Sequence, residues 1–374
     1  MERENLAQKR IGYRVKAARE SHAWTQERLT EELGLNDRQS ISDIENGKRA
    51  LRPEELVRVA ALLGRDLEYF IDPFALEGEA QFSWRASPTV AGETLAVFEL
   101  QAGGWIGLLR WLREGEQGRA NPLKQSLRLS SRSSFEDAQD RAEGLVRTLE
   151  LGLVPAERLS EQIEKELDIP VLFFDRPAAR EGESISGATC HLPELGVILV
   201  ERNESEARRN YDLAHELFHA LTWDAMTPGR RESNALSQRS GGKRIEHLAD
   251  NFAAALLMPL ASLEHFLSPE QASDIHYLAA VADQLRVSPV ALAWRLYNLK
   301  RIGKETCEAL KKQRQRAPFT HRPKLFSPTF AGMLHRAIDQ GRLSSRKAAR
   351  TLGLSLPGLA GLFAEHGLEA PFEL

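Results

Sequence analysis

Apolar positions recur at helical spacing in IGYRVKAARESH, TQERLTEELGL, DRQSISDIENG and RPEELVRVAALLG, so residues 1 to about 72 read as short helices separated by tight turns. The last of these ends at Gly64, and Pro73 in DLEYFIDPF closes the segment. Residues 75 to about 132 are less regular. FELQAGGWIGLLRWLRE keeps a helical pattern despite Gly103, Gly104 and Gly107, and the polar stretch from Glu114 to Ser134 reads as linker. Two further helices, FEDAQDRAEGLVRTLEL and PAERLSEQIEKEL, follow. The period then changes: PVLFF, ESISGATCHL and LGVILVE are short β-branched or aromatic runs broken by Pro and Gly, which predicts three strands. Helical spacing returns in YDLAHELFHALTW and fills the rest of the chain. The pattern is that of a mainly α chain with a small β-sheet (α+β), divided into a helical bundle at 1–74, a connecting region at 75–134, a sheet-containing domain at 135–262 and a helical region at 263–374. No fixed-period repeat runs through it.

A length of 374 residues is enough for two or three domains, and 42% hydrophobic with 28% charged residues is a soluble globular composition. No apolar run approaches the roughly 18 residues that cross a bilayer, and MERENLAQKR is no signal peptide, so a cytoplasmic chain without a membrane partner is expected. The two cysteines, Cys190 and Cys307, match no metal or redox spacing and are expected as free thiols. The net charge of −3 hides an asymmetry: residues 300–350 hold 14 Lys or Arg against 3 Asp or Glu, a local +11, which leaves −14 elsewhere. Such a field fits an anionic partner, with a solvated basic helix pair as the alternative.

TQERLTEELGLNDRQSISDIENGKRAL has the layout of a helix-turn-helix. Leu29, Leu33, Leu35, Ile41 and Ile44 supply buried faces, Gly34 permits the tight turn, and Asn36 can cap the second helix. That leaves Arg38, Gln39, Ser40 and Ser42 near the exposed start of a helix that could enter a major groove. Arg and Gln suit guanine and adenine edges, while Lys48 and Arg49 suit phosphates. Residues 1–52 carry only 11 basic against 9 acidic residues, so a helical bundle for protein contacts stays open on spacing alone. Through Thr25-Gln26, Leu29, Gly34, Gln39-Ser40, Ile41-Ser42 and Ile44-Glu45-Asn46-Gly47 the segment resembles the Cro/C1-type (XRE) repressor DNA-binding domain. The resemblance implies that Gln26 reaches a phosphate and that residues 38–42 read bases, with Asn46 beside them. It implies a double-stranded DNA operator as partner. A homodimer is expected, since single heads of this kind usually bind paired half-sites.

In YDLAHELFHALTW, His215 and His219 are four apart and share one helix face, so both can bind one ion, and Glu216 between them is placed to take a proton from a metal-bound water. A surface helix with two solvated histidines is the alternative. A third ligand is available in EHLADNFAAALLMP: Glu246 lies 31 residues past His215, room for a loop and a return helix. Asp250, one turn on, could accept a hydrogen bond from a ligand imidazole. His247 is the rival third ligand, but it points about 100° away from Glu246 on the same helix.

LAHELFHALTW followed by EHLADNFAAALLMP resembles the ImmA/IrrE metallopeptidases, and ISGATCHLPELGVILVERNESEARRNYDLAHE fits the short sheet that precedes their active helix. The resemblance covers roughly residues 135–262. It implies a zincin-like domain with Zn2+ held by His215, His219 and Glu246, and Glu216 as general base. Asp250 departs from the Asn often found there, which leaves the ligand set intact.

After Pro259, IHYLAAVADQLRVSPVALAWRLYNLKRI reads as two helices joined at Val287-Ser288-Pro289. GRLSSRKAARTLGLSLPGLAGLF has the shape of a second small helix-turn-helix with Gly353 at the turn, for nucleic-acid contact or for packing; in the first case residues 300–350 would meet a nucleic-acid signal. The combined resemblances imply a DNA-binding regulator whose zinc endopeptidase domain cleaves a regulatory protein, a helix-turn-helix repressor or the chain's own linker near 114–134, in a stress or mobile-element response. The alternative is a repressor or antitoxin that binds DNA and a partner protein such as a toxin, with a structural or vestigial metal site. Retention of Glu216 weighs against it, because a structural site needs only the ligands.

Overall fold

The computed structural model describes residues 2–35, 37–117, 126–176, 183–231, 240–313 and 322–373. In chain order the first five helices are α1 (Glu2–Ser21), α2 (Gln26–Leu33), α3 (Arg38–Glu45), α4 (Pro53–Leu62) and α5 (Leu67–Ile71). Strand β1 (Gln81–Ala86) and the long helix α6 (Gly92–Gln117) follow, then α7 (Phe135–Thr148) and α8 (Leu159–Leu167). Strands β2 (Val171–Phe174), β3 (Ile185–Leu192) and β4 (Leu195–Glu201) lead into α9 (Glu206–Thr222) and α10 (Ser240–Leu257). The remaining helices are α11 (Leu260–Phe266), α12 (Ile275–Gln284), α13 (Pro289–Asn298), α14 (Lys304–Lys311), α15 (Pro328–Asp339), α16 (Ser345–Leu352) and α17 (Leu356–Glu365). The fold is therefore mainly helical with one small sheet. It divides into two compact units, one of residues 1–80, 99–119 and 347–353, the other of 81–98, 120–346 and 354–374.

In the first unit, Val15, Leu29, Leu33, Ile41, Ile44, Val59 and Phe70 close a core among α1 to α5. Thr25 caps α2 by accepting from Arg28 N, and Gly34 turns the chain at φ 64, a left-handed conformation that glycine adopts without strain. Asn36, expected as the next cap, lies outside the described residues; Asp37 caps α3 instead, accepting from Ser40 N. The C-terminal end of α3 is tied to α1 by the buried pair of Arg19 Nε and Glu45 Oε1 at 2.6 Å. The region 75–117 is folded. Arg110 and Glu79 form a buried pair at 2.6 Å, and α6 crosses so close to Phe74 that a Cβ at Gly107 would sit 1.9 Å from the Phe74 carbonyl oxygen. Close approach explains the glycine at 107; a Cβ at Gly103 would meet nothing within 4 Å.

In the second unit the strand order is β1-β3-β4-β2, with β1 and β4 antiparallel to β3 and β2 parallel to β4. The strands read from PVLFF, ESISGATCHL and LGVILVE are β2, β3 and β4; β1 is an addition. Every residue of β4 is buried, as its near-continuous apolar run requires of a central strand covered on both faces. Helix α9 packs on β3, where a Cβ at Gly187 would lie 2.8 Å from the Leu199 carbonyl oxygen and 3.6 Å from Glu216 Cγ. Leu217, Phe218, Leu248, Phe252 and Leu256 join α9 to α10 in a core that also takes Leu278, Leu292 and Leu296. Of the stretch read as linker, Glu114 to Gln117 are the end of α6, residues 118–125 lie outside the described residues, and Leu127 N donates to Leu221 O at 2.9 Å, which fixes the next segment to α9. Among the described residues no helix is long and apolar enough to cross a membrane.

Helices α1 and α3 also approach closely, and a Cβ at Gly12 would meet the Ile44 carbonyl oxygen at 2.2 Å. Gly12→Ala is expected to destabilise this unit by about 1–3 kcal/mol, read as a lower melting midpoint. An unchanged midpoint would mean that the two helices do not pack this closely.

Candidate metal centre and nucleic-acid interface

Three ligand atoms converge between α9 and α10. His215 Nε2 lies 3.1 Å from His219 Nε2 and 3.2 Å from Glu246 Oε2, and His219 Nε2 lies 3.7 Å from the same oxygen. Both histidines are buried and the Glu246 side chain nearly so. The other ring nitrogen of His215, Nδ1, is 3.1 Å from Asp250 Oδ1. An ionised carboxylate only accepts, so Nδ1 carries the proton and Nε2 turns a lone pair into the cluster. A nitrogen, a second nitrogen and a carboxylate oxygen then face one another at 3.1–3.7 Å. A tetrahedral zinc ion with arms of about 2.0–2.1 Å spaces its ligands about 3.3–3.4 Å apart, so the donor set and its spacing fit. His247, the rival ligand, is exposed and meets the Phe135 ring edge-on at 6.4 Å, away from the cluster.

Several side chains around this centre were not anticipated as site residues. Thr189 on β3 donates to Glu216 Oε2 at 2.8 Å and to the Glu216 carbonyl at 3.0 Å, orienting a carboxylate that is fully buried. Tyr211, one turn before His215, donates to Asp250 Oδ1 at 3.3 Å and to its carbonyl at 3.2 Å. Burial and then Asp250 push the Tyr211 phenol up, so it remains a donor. Arg85 on β1 pairs with the buried Asp212 of α9 at 3.0 Å. The i, i+4 spacing of Tyr211 and His215 was a readable signal. Thr189 and Arg85 become neighbours of α9 only through sheet pairing. His191 stacks on Trp223 at 5.2 Å, and burial pushes its imidazole down.

On α2 and α3 the candidate DNA-facing residues lie together. Gln26 Nε2 donates to Glu45 Oε2 at 2.8 Å, which places Gln26 against the buried Arg19–Glu45 pair, and Arg38 Nε donates to Gln26 Oε1 at 3.2 Å. Arg38 also pairs with Glu27 at 3.0 Å across an exposed surface. Gln39 donates to Asp43 at 2.8 Å, Ser40 donates to the capping Asp37, and Asn46 Nδ2 donates to the Ser42 carbonyl at 2.7 Å. Lys48 is exposed, whereas Arg49 donates to Glu55 at 2.6 Å. Burial would raise Glu55, but Arg52 and Arg49 lower it to about 2.

Within the basic region, residues 314–321 lie outside the described residues, and several of the cations on either side serve as packing contacts. Lys347 pairs with Asp72 at 3.0 Å and Glu68 at 3.1 Å, Lys311 with Glu308 at 3.0 Å, Arg301 with Glu264 at 3.7 Å, and Arg322 with Asp175. Gly353 has the positive φ of 70 expected of a turn.

Residues 15–70 match the helix-turn-helix family model, and residues 164–297 match that of the IrrE N-terminal-like domain. The chain fuses an XRE-type helix-turn-helix to an IrrE/ImmA-like domain. No curated protein matches it in sequence. Among solved structures, the apo form of the competence regulator ComR from Streptococcus vestibularis is similar over 93% of this chain and 100% of that one, at 13% identity and a TM-score of 0.17, too low to support any inference. The IrrE-like match starts and ends later than the 135–262 segment read from the sequence, and it takes in α12 and α13, whose Leu278, Leu292 and Leu296 share the core behind α9 and α10. Strand β1 lies outside the matched span, although its Arg85 grips α9 of the IrrE-like domain.

Removing Asp250 leaves His215 Nδ1 without the carboxylate that fixes its tautomer. Asp250→Ala is expected to weaken zinc affinity about 10–100-fold in a competitive chelator titration. Affinity within twofold of wild type would show that Asp250 does not orient His215 for a metal.

Proposed function

We propose that the chain is a DNA-binding transcriptional regulator whose IrrE-like domain is a zinc-dependent endopeptidase. Its substrate is a regulatory protein, a helix-turn-helix repressor in the first instance, in a stress or mobile-element response. The observation that carries the enzymatic half is Glu216, a fully buried carboxylate adjacent in sequence to the ligand His215 and held by Thr189. Burying a carboxylate is costly, and a metal site that only braced the fold would have no use for it.

His215, His219 and Glu246 would hold the zinc, which when bound supplies Lewis-acid polarisation and lowers the pKa of water toward about 7. Glu216 accepts the proton that leaves the attacking water as its oxygen bonds to the scissile carbonyl carbon. The same carboxyl then delivers that proton to the amine nitrogen as the carbon–nitrogen bond breaks. Thr189 holds the carboxylate in one orientation for both transfers, and Asp250 with Tyr211 keeps the His215 ring in its ligating tautomer.

For the DNA half, Gln26 and Arg49 with Lys48 are assigned to phosphates, and Arg38, Gln39, Ser40, Ser42 and Asn46 to the groove. Two heads on paired half-sites would make the working unit a dimer. Contact with DNA has to draw Arg38 from Glu27, an exchange that an exposed pair permits at little cost.

Glu216→Gln tests the enzymatic half. Cleavage of a co-expressed helix-turn-helix repressor is expected to fall at least about 100-fold, with zinc content and operator affinity unchanged. Equal cleavage by the variant, or none by the zinc-loaded wild type, would instead favour a repressor or antitoxin with a structural metal site.

A further inference from the structure

Strand β1 belongs to the second unit but stands outside the residues that match the IrrE-like domain, and two of its side chains back the metal centre. Ser83 lies directly opposite Thr189 in the sheet, and Thr189 holds Glu216. Arg85, two residues on, shares the face of Ser83. It reaches α9 one turn before Glu216, where its Nε lies 3.0 Å from Oδ1 of the fully buried Asp212. The same guanidinium lies over the Tyr211 ring, 5.9 Å from its centroid and within the range of a cation–π contact.

Tyr211 carries that contact onward. Its hydroxyl donates to Asp250 Oδ1 and to the Asp250 carbonyl, at 3.3 and 3.2 Å, and Asp250 Oδ1 in turn accepts from His215 Nδ1 at 3.1 Å. The Asp250 side chain is 43% exposed, so water competes with His215 for its oxygens. Among the described residues, the partners that hydrogen-bond its carboxylate are His215 and Tyr211. Tyr211 therefore keeps the carboxylate turned toward the imidazole. A phenol ring swings on two side-chain torsions, and the cavity of about 780 Å³ that Arg85, Tyr211 and Asp250 line together gives it room to swing. Arg85, fixed on α9 through Asp212, closes the ring in from the sheet side.

We propose that Arg85 is a positioning residue of the metal centre: through Tyr211 and Asp250 it keeps His215 Nε2 turned to the other two ligands. The site is then completed by a strand from outside the IrrE-like span. Resting on the metal centre proposed for His215, His219 and Glu246, this role does not require that the domain cleave a protein.

The test is a double-mutant cycle on zinc affinity, read by chelator competition on the full-length chain. Arg85→Met is expected to weaken zinc binding at least about fivefold in the wild-type background and less than about twofold beside Asp250→Ala, because the two residues act along one path. A residue that only braced α9 against the sheet would cost the same factor in both backgrounds. Arg85→Met also leaves the buried Asp212 with one cation fewer. If that variant does not fold, the same cycle is run with Arg85→Met and Asp212→Asn together, measured against Asp212→Asn alone. Zinc affinity within twofold of the reference protein, or an equal loss in both backgrounds, would overturn the proposal. A wild-type chain that binds no zinc would overturn the metal centre and this role with it, whereas a zinc-loaded chain that follows the cycle but cleaves no repressor would sustain the role and count only against the peptidase.

Discussion

Lone pairs that converge inside a protein core repel one another unless a cation sits among them. His215 Nε2, His219 Nε2 and Glu246 Oε2 are brought to within 3.1–3.7 Å by two helices whose contact is apolar apart from these groups and the bonds of Tyr211 and His215 to Asp250. An uncompensated cluster of this kind opposes the packing of α9 on α10, and a cation held among the three atoms would stabilise that packing. Much of the second unit serves that one contact. Phe218 and Phe252 meet with ring centroids 5.6 Å apart, and Arg295 joins α13 to the end of α10 and to α7.

The helix-turn-helix rests on a different kind of interaction. Its recognition helix is held from behind by the Arg19–Glu45 pair, and Gln26 is positioned by that same carboxylate. A buried ion pair contributes little net stability, but breaking one side of it leaves a stranded charge at about 3–5 kcal/mol. The pair thus fixes where α3 ends relative to α1. The surface it supports mixes arginines with Glu27, Asp37 and Asp43, so its positive field is weak and recognition depends on where individual side chains lie.

Local features were the legible ones. The four-residue spacing of His215 and His219, the return helix that carries Glu246, the runs that became β2 to β4, and the turn at Gly34 are each set by neighbours in sequence. What stayed hidden depends on distant pairing. QFSWRA alternates as a strand should, yet its partner β3 lies about a hundred residues on, so nothing nearby marks it as β1 or places Arg85 beside Asp212. Thr189 meets Glu216 for the same reason. The cap of α3 shows the limit of local reading from the other side: Asn36 and Asp37 are both good caps by residue type, and Asp37 is the one that accepts from Ser40 N. The glycines of α6 looked like weak points in a helix; Gly107 is instead the place where another segment crosses.

The most direct measurement is the metal content of the purified protein, wild type beside Glu246→Ala and His247→Ala. About one zinc per chain in the wild type and in His247→Ala, and its loss in Glu246→Ala, is the expected result. No zinc in the wild type under zinc-replete conditions, or a site that survives Glu246→Ala, would contradict the metal centre on which the proposed peptidase rests.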